Sequence, residues 1–142
     1  MRRAELIAIT LLVDEYEPTT RFYCEHLGFE VWVDADYAGG QRNVQLELRR
    51  HPGVKLYIHR ASTPLQLAAV GKQAGDGLAF LTLNTLNAEQ DFARLSAAGV
   101  EILGEMMEMP WGRQFTVIDP CGNRITFFED FLLDYDRSYY TA

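Results

Sequence analysis

The chain has 142 residues, 48% of them apolar and 23% charged, with a formal net charge of −7 at pH 7. That length suffices for one compact domain with its own core, and the acidic balance argues against nucleic acid or an anionic membrane as partner. No apolar run reaches the length of a bilayer span, and Met1-Arg2-Arg3 is followed by Glu5 and an alternating pattern, so the expected compartment is the cytoplasm.

Ile7, Ile9, Leu11 and Val13 alternate with smaller or polar neighbours, which predicts a first strand. Pro18 to Leu27 reads as a helix with Phe22, Tyr23 and His26 or Leu27 on its inward stripe, closed by Gly28. Three strands follow: Phe29 to Asp34, a third around Val44, Leu46 and Leu48, and a fourth carrying Val54, Leu56 and Ile58. Asp36 to Gly40 and His51-Pro52-Gly53 read as the turns between them. Residues 61–76 form a connector with one short helix expected around Leu65 to Val70. The order then repeats, with a strand over Leu78 to Leu83, a helix over Ala88 to Ala98 capped by Gly99, and a strand over Val100 to Leu103. A hairpin from Met109 to Glu129 turns at Asp119-Pro120-Cys121-Gly122-Asn123. Gly28-Phe29-Glu30-Val31 and Gly99-Val100-Glu101-Ile102 hold equivalent places, a capping glycine followed by apolar-Glu-apolar. The repeat predicts two similar modules, about 5–60 and 77–130, within one domain of 1–142, with a tail at 131–142. Phe131, Leu132, Leu133, Tyr135, Tyr139 and Tyr140 in that tail suggest a short helix covering an interface or a cavity mouth.

Arg21-Phe22-Tyr23 followed by Leu27-Gly28-Phe29, the repeat itself, and the Asp119-Pro120-Cys121-Gly122-Asn123 turn resemble the vicinal oxygen chelate superfamily, which includes glyoxalases, extradiol dioxygenases, fosfomycin-resistance enzymes and bleomycin-resistance proteins. The resemblance runs from about Leu6 to Glu129, and Pro110-Trp111-Gly112-Arg113-Gln114-Phe115 is most similar to the bleomycin-resistance branch. It implies an α+β fold of two βαβββ modules with curved mixed sheets around a cavity.

Enzymes of that superfamily hold a divalent metal with His, Gln or Glu from the first and last strand of each module. Here the corresponding places fall on Ala8, Tyr57 and Thr126, and Gly77 to Leu83 offers no such ligand. A phenol, a hydroxyl and apolar side chains do not make a first shell for a hard or borderline divalent ion. The expectation is therefore neither metal nor other cofactor, and ordinary glyoxalase, dioxygenase or metal-dependent transferase chemistry is not expected.

The residues favour binding. Tyr57, Phe128, Trp111, Trp32 and Phe115, with Tyr37, offer flat apolar surfaces, and strand alternation puts Lys55 and His59 on the face of Tyr57, with Glu47 on the neighbouring strand. Aromatic walls with a few polar groups suit a planar small molecule, and the acidity favours a cationic one. The resemblance implies drug sequestration without chemistry, in clefts of a homodimer lined by the Trp111 position. Two alternatives stand beside it: an isomerase or lyase using Glu47 and His59 as an acid–base pair or a non-standard metal set, and a purely structural or regulatory dimer.

Overall fold

In β1 (Ala8–Val13) Leu11 and Val13 are fully buried while Ala8 and Thr10 are exposed, so the period-two alternation read in the sequence sets which face of the strand meets the core. The structure is a computed structural model, and it describes residues 3–37 and 39–132. Among the described residues β1 is followed by α1 (Tyr16–His26), β2 (Phe29–Asp36), β3 (Arg42–Leu48), β4 (His51–Arg60) and α2 (Pro64–Ala69). The second half runs β5 (Ala79–Asn84), α3 (Ala88–Ala97), β6 (Met107–Met109), β7 (Gly112–Ile118) and β8 (Arg124–Asp130).

The described chain divides into two compact units. The first reaches Gln73 and includes Pro120–Gly122; the second runs Ala74–Asp119 and resumes at Asn123. Each holds one mixed four-stranded sheet of the same topology, in the order β1-β4-β3-β2 and β5-β8-β7-β6, with the first strand of the module parallel to the last. The two βαβββ modules expected from the repeat are therefore present. Gly28 and Gly99 close α1 and α3 at φ +80° and +78°, a left-handed conformation that a side chain would strain.

In the first unit Val44, Leu46, Leu56 and Ile58 lie on the buried face of β3 and β4, and Thr19, Tyr23 and Leu27 of the α1 segment are buried with them. In the second unit the buried set is Phe115, Val117, Ile125 and Phe127 from the sheet with Ala88 and Leu95 from α3. Each fully buried side chain of this kind contributes roughly 1.5–3 kcal/mol.

Both modules fasten their helix by the same device. Glu15, at the N-cap of α1, makes no side-chain cap hydrogen bond. Instead Arg42 of β3 donates to Glu17 at 2.6 Å and, bidentately, to Asp34 of β2 at 2.9 Å through Nε and Nη2. The guanidinium also sits 4.8 Å from the centre of the Tyr16 ring. Those hydrogen bonds hold the Asp34 and Glu17 carboxyls below the usual carboxylate range. In the second module Arg113 of β7 reaches Glu89, again the second residue of the helix, at 2.5 Å. There Asn87 also caps the helix by accepting from the Gln90 amide, and Glu129 accepts from the Ala88 amide.

The Asp119-to-Asn123 turn closes on itself. Asp119 accepts from the Asn123 amide at 2.9 Å and from its Nδ2 at 3.0 Å, with both residues 3% exposed. At its tip, within the first unit, the Cys121 thiol lies 3.4 Å from Thr19 Oγ1 and donates to Asp14 Oδ1 at 3.4 Å. The short connector helix is present as α2, with Pro64 in its first turn and Thr63 accepting from the Gln66 amide.

Several boundaries differ from the sequence reading. α1 starts at Tyr16, which leaves Pro18 in its first turn, where a missing amide costs nothing. The β3–β4 turn is Arg49-Arg50, because Leu48 pairs with His51; His51-Pro52-Gly53 opens β4, and a shift of register follows before Lys55 meets Glu47. Val100 to Leu103 makes one isolated bridge, Ile102 to Val117, and the regular edge strand of the second sheet is β6. Between them Gly104 takes φ +77°, which breaks the ladder. The expected tail helix lies, from residue 133 onward, outside the described residues. No helix among the described residues is long and apolar enough to cross a membrane.

Candidate functional site

The face of the first sheet opposite α1 collects most of the aromatic and charged candidates. Cross-strand partners share a face, so the register sets the neighbours: Glu47 opposite Lys55, Gln45 opposite Tyr57, and on the parallel side Thr10 opposite Tyr57 and Leu12 opposite His59. The Tyr57 and His59 rings follow one another along β4 with centroids 5.9 Å apart and planes inclined by 32°.

Trp32 lies on the same face as Glu30, two residues before it, and sits at a bulge. Val31 pairs with Leu46 and Val33 with Gln45, so Trp32 is the extra residue of β2 at the register shift. A bulge changes the phase of alternation and re-aims the side chain it carries. Here it puts Asp34 on the helix side, where Arg42 binds it, and leaves the Trp32 ring beneath the Lys55 ammonium, 4.4 Å from the ring centre. Lys55 Nζ also lies 3.6 Å from Glu47 Oε2, and the Gly53 amide donates to that oxygen at 3.4 Å. The two charged side chains are only 19% and 14% exposed, so their attraction is screened less than that of a surface pair.

The structure separates Glu47 from His59. Glu47 is partnered by Lys55, and His59 lies four residues further along β4, about 13 Å away at strand rise. The expected acid–base pair is therefore corrected: the carboxylate is committed to an ammonium and the imidazole belongs to the other end of the face, beside Tyr57.

In the second unit, the face opposite α3 carries Thr116 and Thr126, whose hydroxyls are 2.9 Å apart, and Phe128, which pairs with Gln114. Trp111 stands in the two-residue turn Pro110-Trp111 between Met109 and Gly112, with half its surface exposed, and its carbonyl accepts from the Phe131 amide. Gly112 lets the strands close here, since a Cβ would run into the Glu129 carbonyl and come within 3.0 Å of Phe128 Cζ. Phe115 does not line this face. It is 2% exposed, stacked 5.0 Å from Phe127 and edge-on to Phe92 at 5.3 Å, so the expectation that it contacts ligand is corrected to a core role. Tyr37, half exposed, donates its amide to Gln41 in the β2–β3 loop.

The donor set at the superfamily's metal positions does not fit a divalent ion. Ala8 stands opposite Lys55, Tyr57 opposite Thr10 two residues further along β1, and Thr126 opposite Thr82 in the second sheet. These places offer hydroxyls, a phenol and a methyl, none of them a good ligand for such a cation. Among the described residues no group of three or more His, Cys, Asp or Glu side chains is placed to hold a metal.

Strand alternation alone places Lys55 beside Tyr57. Its closure over Trp32 depends on how β2 and β4 register across β3, and the turn of Asp34 to the helix side depends on the β2 bulge, which leaves no periodic mark in the sequence. The Arg42 and Arg113 clamps likewise have no local signal, because their partners are distant in the chain.

A duplicated βαβββ architecture, two modules each with one helix on one face of a mixed four-stranded sheet, defines the class of α+β protein to which this chain belongs. The family model described as Glyoxalase/Bleomycin resistance protein/Dioxygenase superfamily matches residues 6–127, and the chain belongs to that superfamily. An uncharacterized protein of Shewanella frigidimarina (strain NCIMB 400) is 31% identical over 122 residues, covering 85% of this chain and 90% of its own. Among solved structures, TnmS3, an antibiotic binding protein from Streptomyces sp. CB03234, is 27% identical with a TM-score of 0.71, covering 92% of this chain and 98% of its own. UcmS2 is similar in fold, with a TM-score of 0.76 at 24% identity over 89% of this chain and 98% of its own.

Proposed function

We propose that this protein binds and sequesters a planar aromatic small molecule, in the manner of the bleomycin-resistance proteins, without a metal and as a homodimer. The observation that carries the reading is the first sheet's open face, where Trp32, Tyr57 and His59 present rings beside the Lys55–Glu47 pair. Aromatic walls with few, placed polar groups suit a flat ligand, whose burial would supply most of the affinity. Likeness to an antibiotic binding protein at 27% identity supports small-molecule binding over catalysis. The parting of Glu47 from His59 counts against the acid–base form of the isomerase or lyase alternative.

Within the second unit, Phe128 and the half-exposed Trp111 are that unit's own candidate ligand contacts. Leu65 and Leu67 of α2, 82% and 55% exposed, support burial against a second copy. Calorimetric titration with bleomycin and with 2-naphthamide in EDTA, together with light scattering for the oligomeric state, tests the proposal. Saturable binding that weakens in Tyr57→Ala is the expected outcome. Turnover or binding that appears only with an added divalent ion, or a monomer at micromolar concentration, would count against it.

A further inference from the structure

Resting on the binding reading above, we infer that the open face of the first sheet selects an aromatic ligand bearing an anionic group, with Lys55 as the residue that sets the charge preference. The net charge of −7 points the other way, toward a cation. Local geometry decides the matter. A cationic ligand would use the face of Trp32, but the Lys55 ammonium already lies over that ring, 4.4 Å from its centre. It would also use the Glu47 carboxylate, which the same ammonium and the Gly53 amide address at 3.6 and 3.4 Å. Binding a cation therefore requires displacing Lys55 from both partners and then bringing two like charges together.

An anion meets the opposite situation. The Lys55–Glu47 separation of 3.6 Å is long for a charge-assisted hydrogen bond, which closes to about 2.7–2.9 Å. An ammonium has three donors, and among the described residues its one ionic partner is Glu47. A carboxylate or phenolate on a ring stacked near Trp32 and Tyr57 can take one of the remaining donors while Lys55 keeps its place. The other carboxylate at this end of the face, Glu30, stands opposite Glu47 in the register and is taken by Arg49 at 3.3 Å. Arg50, beside it in the β3–β4 turn, adds a further positive charge. This end of the sheet is locally cationic on an acidic protein.

Three probes of one shape test the inference: 2-naphthoate, 2-naphthamide and 2-naphthylmethylammonium, titrated calorimetrically into the full chain. The naphthoate is expected to bind about tenfold more tightly than the ammonium probe, as one hydrogen bond to a charged group would give. In Lys55→Met the order should invert, because Glu47 is left on the face without its counter-ion, and in Lys55→Arg it should persist, with circular dichroism confirming that both variants fold. If the neutral amide binds but the two charged probes are equal, or the preference survives in Lys55→Met, Lys55 does not select charge and the inference fails while the binding reading stands. If none of the three binds the wild-type chain, both fail.

Discussion

Arg42 and Asp34 face each other as a bidentate pair, with Nε and Nη2 each 2.9 Å from a carboxylate oxygen, and the same guanidinium reaches Glu17 on α1. One side chain thereby ties the first turn of the helix to two strands of its sheet. The consequence is a defined acid sensitivity. Asp34 and Glu17 are held below the ordinary carboxylate range because Arg42 hydrogen-bonds their charged forms. A carboxyl depressed in the folded state lends stability that is fully present above its unfolded value, about pH 4. That contribution is lost as the pH falls through the lower folded value. Arg42→Gln should therefore lower the melting temperature near neutral pH, and the gap from wild type should narrow progressively below about pH 4. A gap of constant size down to about pH 2 would show that the pair contributes nothing through its ionisation.

The closed turn at Asp119 gives a second expectation. Asp119→Ala strands the Asn123 amide and Nδ2 in a site where both residues are 3% exposed. Leaving buried donors unsatisfied costs about 1–3 kcal/mol each way it is measured. Urea denaturation should show a loss in that range, with Asp119→Asn, which keeps an acceptor, recovering part of it.

Phe115 separates core from site. Between Phe92 and Phe127, Phe115→Ala should cost about 3–5 kcal/mol of stability. Phe115→Leu should lose far less and bind 2-naphthamide as the wild type does. Weakened binding by a stably folded Phe115→Leu would return this ring to the ligand site.

Gly112 answers to packing at the base of the Trp111 turn. Gly112→Ala meets the Glu129 carbonyl and the Phe128 ring, and a tight, strand-held neighbour of that kind makes overpacking cost roughly 1–3 kcal/mol. Chemical denaturation that leaves this variant as stable as the wild type would mean that β7 and β8 move apart there freely.

Much of the fold can be read along the chain, because its signals are local. The Gly28 and Gly99 caps, the alternation in β1, β3 and β4, and the Asp119-to-Asn123 turn each follow from neighbouring residues, and the repeat follows from comparing the halves. What the sequence does not reveal depends on register. A one-residue bulge at Trp32 exchanges the faces of the rest of β2, which sends Val33 to the open face and Asp34 to the helix. The Glu47–His59 pair is suggested by alternation, which ranks residues by face and says nothing of position along the strand; the register puts Lys55 opposite Glu47 and His59 four residues further along β4. Phe115 is misplaced for the same reason in reverse, since aromatic character marks a wall of a cleft and a core alike, and only its burial tells them apart.

On the proposed function, the open face of the first sheet binds an aromatic ligand with no need of a metal. Two-dimensional 15N NMR of the metal-stripped protein tests it most directly, because the chain's two tryptophans, Trp32 and Trp111, give indole N–H signals that Trp111→Phe assigns. On titration with 2-naphthoate in EDTA, the Trp32 indole signal should shift saturably, to the same end point when a divalent ion is restored. A Trp32 signal that stays in place while ligand binds elsewhere, or that moves only once the divalent ion is added, would rule out metal-free binding at this face.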